Sequence, residues 1–231
     1  MKTARAWTRL AAISMAAIVT AGVAGCGEAE FTYVRDRDGT TYFKVPASFA
    51  KIDSSRIDSL LSGDHPDSAI AALRRQRVWS TAFDQAAQPD VNHLISSGDP
   101  FVYSTVHQLT PVQRDSVSLD AMRDFILPVT KQRRDAYVMQ VAQAGQRPLL
   151  GGFVMVSDQP IQLGDGARGV RIRFEYQVGR DVQTFDQTAY LNKTGETVSV
   201  LLIRCPSACF AKRGAEFDRI AESFKLLRTP G

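Results

Sequence analysis

Val170-Arg171-Ile172-Arg173-Phe174-Glu175-Tyr176-Gln177-Val178-Gly179-Arg180-Asp181-Val182-Gln183-Thr184-Phe185-Asp186 decides the fold. Apolar and polar side chains alternate on both sides of Gly179-Arg180, the period of two that marks a strand with one buried face. A two-residue turn at Gly179-Arg180, where glycine tolerates positive φ, joins the two strands. That turn sets Phe174 opposite Phe185 and Arg173 opposite Asp186. One face then collects Val170, Ile172, Phe174, Tyr176 and Phe185, and the other collects Arg171, Arg173, Glu175, Thr184, Asp186 and Thr188.

Further strand-like runs at 150–157 and 196–204 flank this pair, joined through Gly164-Asp165-Gly166 and Asn192-Lys193-Thr194-Gly195. Each connection is too short for a parallel crossover, so the region is an antiparallel meander. A four-residue turn at Asn192–Gly195 places Phe185 opposite Leu202 and adds Val198, Val200 and Leu202 to the apolar face. The second face gains only Leu201 and Ile203, so it is either wet or a binding surface. Its candidate residues are Arg171, Arg173, Glu175 and Asp186. The chain closes with Phe217, Ile220, Ala221 and Phe224 on one helical stripe. That stripe is expected to cover the apolar face, against Phe174 and Phe185, leaving Arg173 and Asp186 solvated.

Towards the start, Phe31–Val34 and Thr41–Val45 are rich in aromatic and β-branched residues and flank Asp38-Gly39, a strong hairpin signal. Asp36-Arg37-Asp38-Gly39 resembles the opening of a calcium loop, yet the later ligands and the closing Glu are missing. From about 54 to 147 the pattern is helical and irregular. Ile57, Leu60 and Leu61 follow a cap at Ser54 or Ser55, Ala69–Val78 continues in that style, and Leu119–Leu127 is ended by Pro128. Phe101–Val106 is one strand within it. Arg74, Arg75 and Arg77 beside Trp79 fit either a solvated helix face, the preferred reading, or a headgroup-binding patch.

Lys2, Arg5 and Arg9 precede an uncharged apolar run from Leu10 to Ala24, and Val23-Ala24-Gly25-Cys26 closes it. A basic start, a short apolar middle and small residues before a cleavage point describe an export signal. The cysteine at that point resembles a bacterial lipobox, in which it is acylated and becomes the first mature residue. A spanning helix needs about 20 apolar residues, more than this run supplies. An ordinary secretory signal is the other alternative. The organisation expected is a signal at 1–25, a tether at 26–30, and one domain at 31–231 with a helical insertion at about 54–147. Gly27–Glu30 reach on the order of 15 Å when extended, which holds the domain against the membrane surface.

Three of the positive charges behind the net +4 leave with the signal, so the mature chain is close to neutral and has no compositional case for nucleic acid. Cys205 and Cys209 flank Pro206-Ser207-Ala208 and, outside the cytoplasm, suggest a short-range disulfide. His65, His93 and His107 show no metal-ligand spacing with that pair and form no triad on their own. The nucleophile elbow GxSxG, HExxH and GxxxxGK[ST] are absent from the sequence, and no motif calls for a cofactor. Asn192-Lys193-Thr194 fits a glycosylation sequon but is read as turn chemistry. Two function classes remain. One is a binding or accessory module for an envelope protein or an amphiphile, using the polar sheet face or the helical middle. The other is an envelope hydrolase or transferase with an unfamiliar site.

The hairpin followed by Phe43-Lys44-Val45-Pro46-Ala47-Ser48-Phe49 resembles the start of PsbP/Mog1-like domains, with Phe49 where that family usually has Trp. The last strand with Phe217, Ile220, Ser223 and Phe224 is similar to the family's final strand and helix. With the lipobox-like cysteine, the chain resembles actinobacterial envelope lipoproteins of the LpqN type. The resemblance covers the first quarter of the mature chain and its last third. It implies an α+β fold, a single antiparallel sheet with helices on both sides, and accessory, assembly or partner-binding roles. No catalytic residue carries over from it, and fold alone assigns no reaction.

Overall fold

The computed structural model describes residues 29–227. The signal, Cys26 and most of the tether lie outside the described residues. The fold is α+β, with every strand pairing antiparallel. Leu150–Gln162 (β6), Arg168–Val178 (β7), Asp181–Leu191 (β8) and Thr197–Pro206 (β9) form the expected meander. Phe174 pairs with Phe185 and Arg173 with Asp186 across Gly179-Arg180, as the two-residue turn requires. Between β8 and β9 the register differs from expectation. Phe185 faces Arg204, and Gln187 faces Leu202, because Asn192 still bonds to Thr197 and the turn starts one residue later. The slip is two residues, so the same side chains stay on each face.

Two strands from the middle of the chain extend this sheet. Val78–Asp84 (β4) and Phe101–Gln108 (β5) join Ala50–Ile52 (β3), giving the order β3-β4-β5-β9-β8-β7-β6. Only the second of these middle strands was expected. Phe31–Arg35 (β1) and Thr41–Pro46 (β2) pair with Lys225–Leu226 (β10) in a separate three-stranded sheet, so the strands form two sheets and not one. Val34, Phe43 and Val45 pack onto Phe83, Val102, Leu201 and Ile203, so the hairpin lies across the larger sheet instead of extending its edge.

The main correction concerns which layer covers which face. Ser207–Ser223 (α6) sends Phe210, Phe217, Ile220 and Ala221 into the cluster with Leu201, Ile203 and Cys205. That is the face of Arg171, Arg173 and Asp186, and not the face of Phe174. Phe174 and Phe185 sit in the opposite cluster, covered by residues of the chain's middle such as Leu94, Met122, Ile126, Leu127 and Val129. β9 explains the error physically. It is buried along nearly its whole length on both faces, so the apolar alternation of its neighbours does not say where the closing helix goes.

The middle also supplies Ser55–Ser62 (α1), Ala69–Arg77 (α2), Pro111–Ser116 (α3), Leu119–Arg123 (α4) and Lys131–Gln143 (α5). Ser54 precedes α1 without a side-chain cap, against expectation, whereas the other four start on one: Ser68 for α2, Thr110 with Gln113 in a capping box for α3, Ser118 for α4 and Thr130 for α5. α4 stops at Arg123, well before Pro128, because Asp124 then accepts from the backbone of Val129 and Thr130 and turns the chain. In α1 only Ile57 of the predicted apolar stripe is buried, and Leu60 and Leu61 face outward.

Candidate functional site

The structure brings Arg171, Arg173 and Asp186 together, paired to one another beneath α6. Arg171 and Arg173 stand two apart on β7, so both guanidinium groups point to the α6 side and converge on Asp186 of β8. Arg171 donates to Asp186 at 3.0 and 2.7 Å, and Arg173 at 3.1 and 2.6 Å. Asp218 of α6 accepts from both arginines, at 2.6 and 2.7 Å. The Arg173 guanidinium also lies 4.8 Å from the centre of the Phe210 ring. Two cations and two carboxylates therefore close a neutral cluster in which each charge is hydrogen-bonded.

The Asp186 side chain is fully buried, while that of Asp218 is 41% exposed. Burial opposes the charge on Arg171, but its bonds to Asp186 and Asp218 outweigh burial and raise its pKa. Arg173 shifts the same way for the same reasons. Burial alone would raise the Asp218 carboxyl, and the two arginines instead hold it below its ordinary value. Glu175 stands apart, accepting from Thr184 at 3.0 Å and from Ser207, the first residue of α6, at 2.8 Å. The four candidate residues thus bolt α6 to the sheet; Glu175 does so at the start of the helix and the other three do so further along it.

Cys205 and Cys209 are bonded, with their Cα atoms 5.9 Å apart, and the link spans the passage from β9 into α6. The histidines are dispersed. His93 Nδ1 lies 2.6 Å from buried Asp84, and His107 packs its ring edge-on to Phe125 at 4.8 Å. Burial, and then the charge of Arg74, lower the His107 pKa to about 4. Arg204 was not singled out by sequence. It is fully buried on β9 and donates to the carbonyls of Ser97 and His93 and to Gln183, fixing the loop before β5. Among the described residues no group of three or more His, Cys, Asp or Glu is arranged to hold a metal ion.

Several recesses open on the surface of the described residues. One of about 620 Å³ lies among the hairpin turns, beside Asp165, Asn192, Lys193 and Glu196. A smaller one, about 200 Å³, lies between β1–β2 and α6, lined by Phe31, Lys44, Pro46 and Arg219. Sequence reasoning also missed which apolar side chains face solvent. Val154 and Val156 are half-exposed on β6, at the edge of the sheet, and four large apolar residues project from α1 and α2.

No protein-family model and no curated protein matches this sequence. Solved structures do match it. The solution structure of cyanobacterial PsbP from Synechocystis sp. PCC 6803 is 12% identical, with 88% of this chain and 96% of that chain covered and a TM-score of 0.50. This chain has a PsbP-like fold. LpqN of Mycobacterium tuberculosis, described as involved in cell envelope biogenesis, is 14% identical over 86% of this chain and 91% of its own, with a TM-score of 0.46. The Ran-binding protein Mog1p of Saccharomyces cerevisiae is 9% identical over 85% and 95%, with a TM-score of 0.39. At such identities likeness speaks to fold alone, and the site has to be argued from this chain's own residues.

Proposed function

We propose that this chain is a lipoprotein of the cell envelope, anchored through Cys26 on the extracytoplasmic face of the membrane, and that it works as a binding or accessory module. The observation that carries this reading is Val23-Ala24-Gly25-Cys26 behind a basic start and an uncharged run. Acylation of that cysteine would leave the domain on a tether of four residues, close to the surface that holds it.

The described residues support the binding half of the reading. The charges on the α6 side of the sheet are spent on one another, so the polar face is internal. Most of the large outward apolar residues lie instead on β6 and on the helices of the middle region. These are the surfaces open to an envelope protein or an amphiphile.

The test is metabolic labelling with an alkyne-bearing fatty acid, followed by fractionation of wild type and Cys26→Ser. Wild type is expected to take the label, to run at its processed mass and to sediment with membranes, and Cys26→Ser to lose the label and the processing. A wild-type protein without label, or a serine variant processed and retained like wild type, would overturn the anchor.

A further inference from the structure

The tether leads the chain directly onto one face of the β1–β2 hairpin. Glu30 ends the tether, its carbonyl accepting from the Ala47 amide at 3.0 Å, and Phe31 opens β1. Val34, Phe43 and Val45 turn inward onto the larger sheet, so the alternate side chains of the same strands turn outward. The register sets Tyr33 across from Lys44, Arg35 across from Tyr42, and Lys225 of β10 across from Tyr42 on its other side. The outer face therefore holds Phe31, Tyr33, Arg35, Tyr42, Lys44 and Lys225.

Aromatic and basic side chains alternate over this face, and the strands that carry them contain no acid. Tyr33 is 67% exposed and stacks on Tyr42 at 6.4 Å. The Lys44 ammonium lies 4.3 Å from the centre of the Phe31 ring. A recess of about 370 Å³ runs from Tyr33 and Tyr42 to Arg219 and Lys225, beside Glu222. Glu216, at the neighbouring recess by Phe31, is bound by Arg213 at 2.9 and 2.7 Å. Arg35, Lys44, Arg219 and Lys225 thus stand against Glu222 at the flank and Glu28 and Glu30 in the tether.

The length of the tether and the place where it ends select the occupant. Gly27–Glu30 reach on the order of 15 Å, and β1 measures about 14 Å from Phe31 to Arg35. The face begins where the tether ends and is no longer than the tether, so an acyl chain on Cys26 enters the bilayer beside it. Tyrosine joins an apolar ring to a polar tip, and lysine and arginine carry their charge on an apolar stem. That combination suits the headgroup layer, where the rings reach the acyl boundary and the cations meet phosphates. The arginines of α2 do not compete for this role. Arg74 donates to Asp64, Arg75 donates to the Pro66 carbonyl at 2.8 Å, and Arg77 shares a recess with Asp36 and Asp38.

We propose that the outer face of the hairpin, Phe31, Tyr33 and Tyr42 with Arg35, Lys44 and Lys225, lies on the phospholipid headgroups of the membrane in which Cys26 anchors the chain. This inference rests on the lipid-anchor reading and adds an orientation to it. α5, which packs through Tyr137 on the opposite side of the larger sheet, is then turned away from the bilayer.

The test uses the mature acylated protein in vesicles of phosphatidylcholine with about 30% phosphatidylglycerol. An environment-sensitive dye is placed at Tyr33→Cys, and in a second protein at Met139→Cys, an exposed position on α5, leaving the disulfide unreduced. A lipid-borne quencher is expected to dim the Tyr33 dye severalfold more than the Met139 dye. Arg35→Glu with Lys225→Glu, at the end of the face away from the tether, should remove most of that difference while the protein still floats with the vesicles. A difference that survives both substitutions shows that the tether alone brings Tyr33 near the lipid, and it overturns the proposal. Protein that floats with both dyes equally open to aqueous iodide overturns the orientation and leaves the anchor standing. Protein that fails to float overturns the anchor and the orientation together. A Tyr33 dye shielded in detergent, in proportion to protein concentration, shows a second copy on this face and also overturns the proposal.

Discussion

Asp186 on β8 and Asp218 on α6 accept from the same guanidinium nitrogen of Arg173, at 2.6 and 2.7 Å. The two carboxylates differ in what they can lose, because only Asp186 is fully buried. Asp186→Ala leaves two arginines under α6 with their main partner gone and is expected to cost about 3–5 kcal/mol. Asp218→Ala, at the solvent edge of the same cluster, should cost about 1 kcal/mol or less. Arg173→Ala also strips a partner from a buried carboxylate, so it should exceed the roughly 0–1 kcal/mol of a solvated pair. Urea unfolding of the three variants checks the order. Equal, small losses in all three would mean that the cluster is open to water.

Phe174 probes the opposite face. Its ring stacks on Phe185 at 5.4 Å and meets Tyr176 edge-on at 6.0 Å, in the cluster roofed by the middle of the chain. Phe174→Ala is expected to cost about 3–5 kcal/mol through lost burial and an unfilled cavity. The loss should loosen the segment carrying Ile126, Leu127 and Val129, and leave α6 intact. Hydrogen exchange on the variant reads the difference directly. Faster exchange in α6 than around Val129 would reverse the assignment of layers.

What the sequence shows well here is local. The Gly179-Arg180 turn fixes its register within two residues of itself, so Phe174–Phe185 and Arg173–Asp186 are readable without any distant contact. The next turn is less determined, since Asn192 accepts from Glu196 and Thr197 through its side chain and so keeps one more pair in the ladder. β4 is hidden because Val78 follows Arg77 with no turn residue between helix and strand, so the helical pattern runs on unbroken. The covering of each face depends on long-range packing. Leu201 and Ile203 look like minor apolar members of a polar face until Phe217 and Ile220 arrive to bury them. The arginines of that face are internal for the same reason, and no feature of 171–186 taken alone distinguishes a wet Arg–Asp pair from a buried one.

The link between Cys205 and Cys209 closes a loop of only three intervening residues, so it removes little freedom from the unfolded chain. Replacing both by Ala should cost no more than the low end of about 2–4 kcal/mol, and its effect should concentrate at the start of α6. Exported protein denatured without reductant should resist alkylation, and intact mass should show it two hydrogens lighter than the reduced form. Two alkylated thiols in that experiment would show the pair open in the envelope.

His107 gives the structure a defined response to acid. Its ring is held neutral, with the pKa lowered from 6.5 to about 4 by burial first and the charge of Arg74 second. Between pH 6.5 and 4 the unfolded chain therefore binds a proton at this residue that the folded chain refuses. Stability must fall as the pH drops through that window and level off below it, by an amount on the order of 3 kcal/mol at most. Asp218 works in a lower range, because a carboxyl held below its ordinary value of 3.8 gives up its contribution only as the pH falls further. Replacing His107 by Leu removes the titration while keeping an apolar contact for Phe125. The urea midpoint of wild type should decline from pH 6.5 to 4, and that of His107→Leu should decline less over the same range. Parallel profiles would mean that the ring takes up its proton in the folded state as readily as in the unfolded one, and would overturn the reading of His107 as a neutral, buried ring.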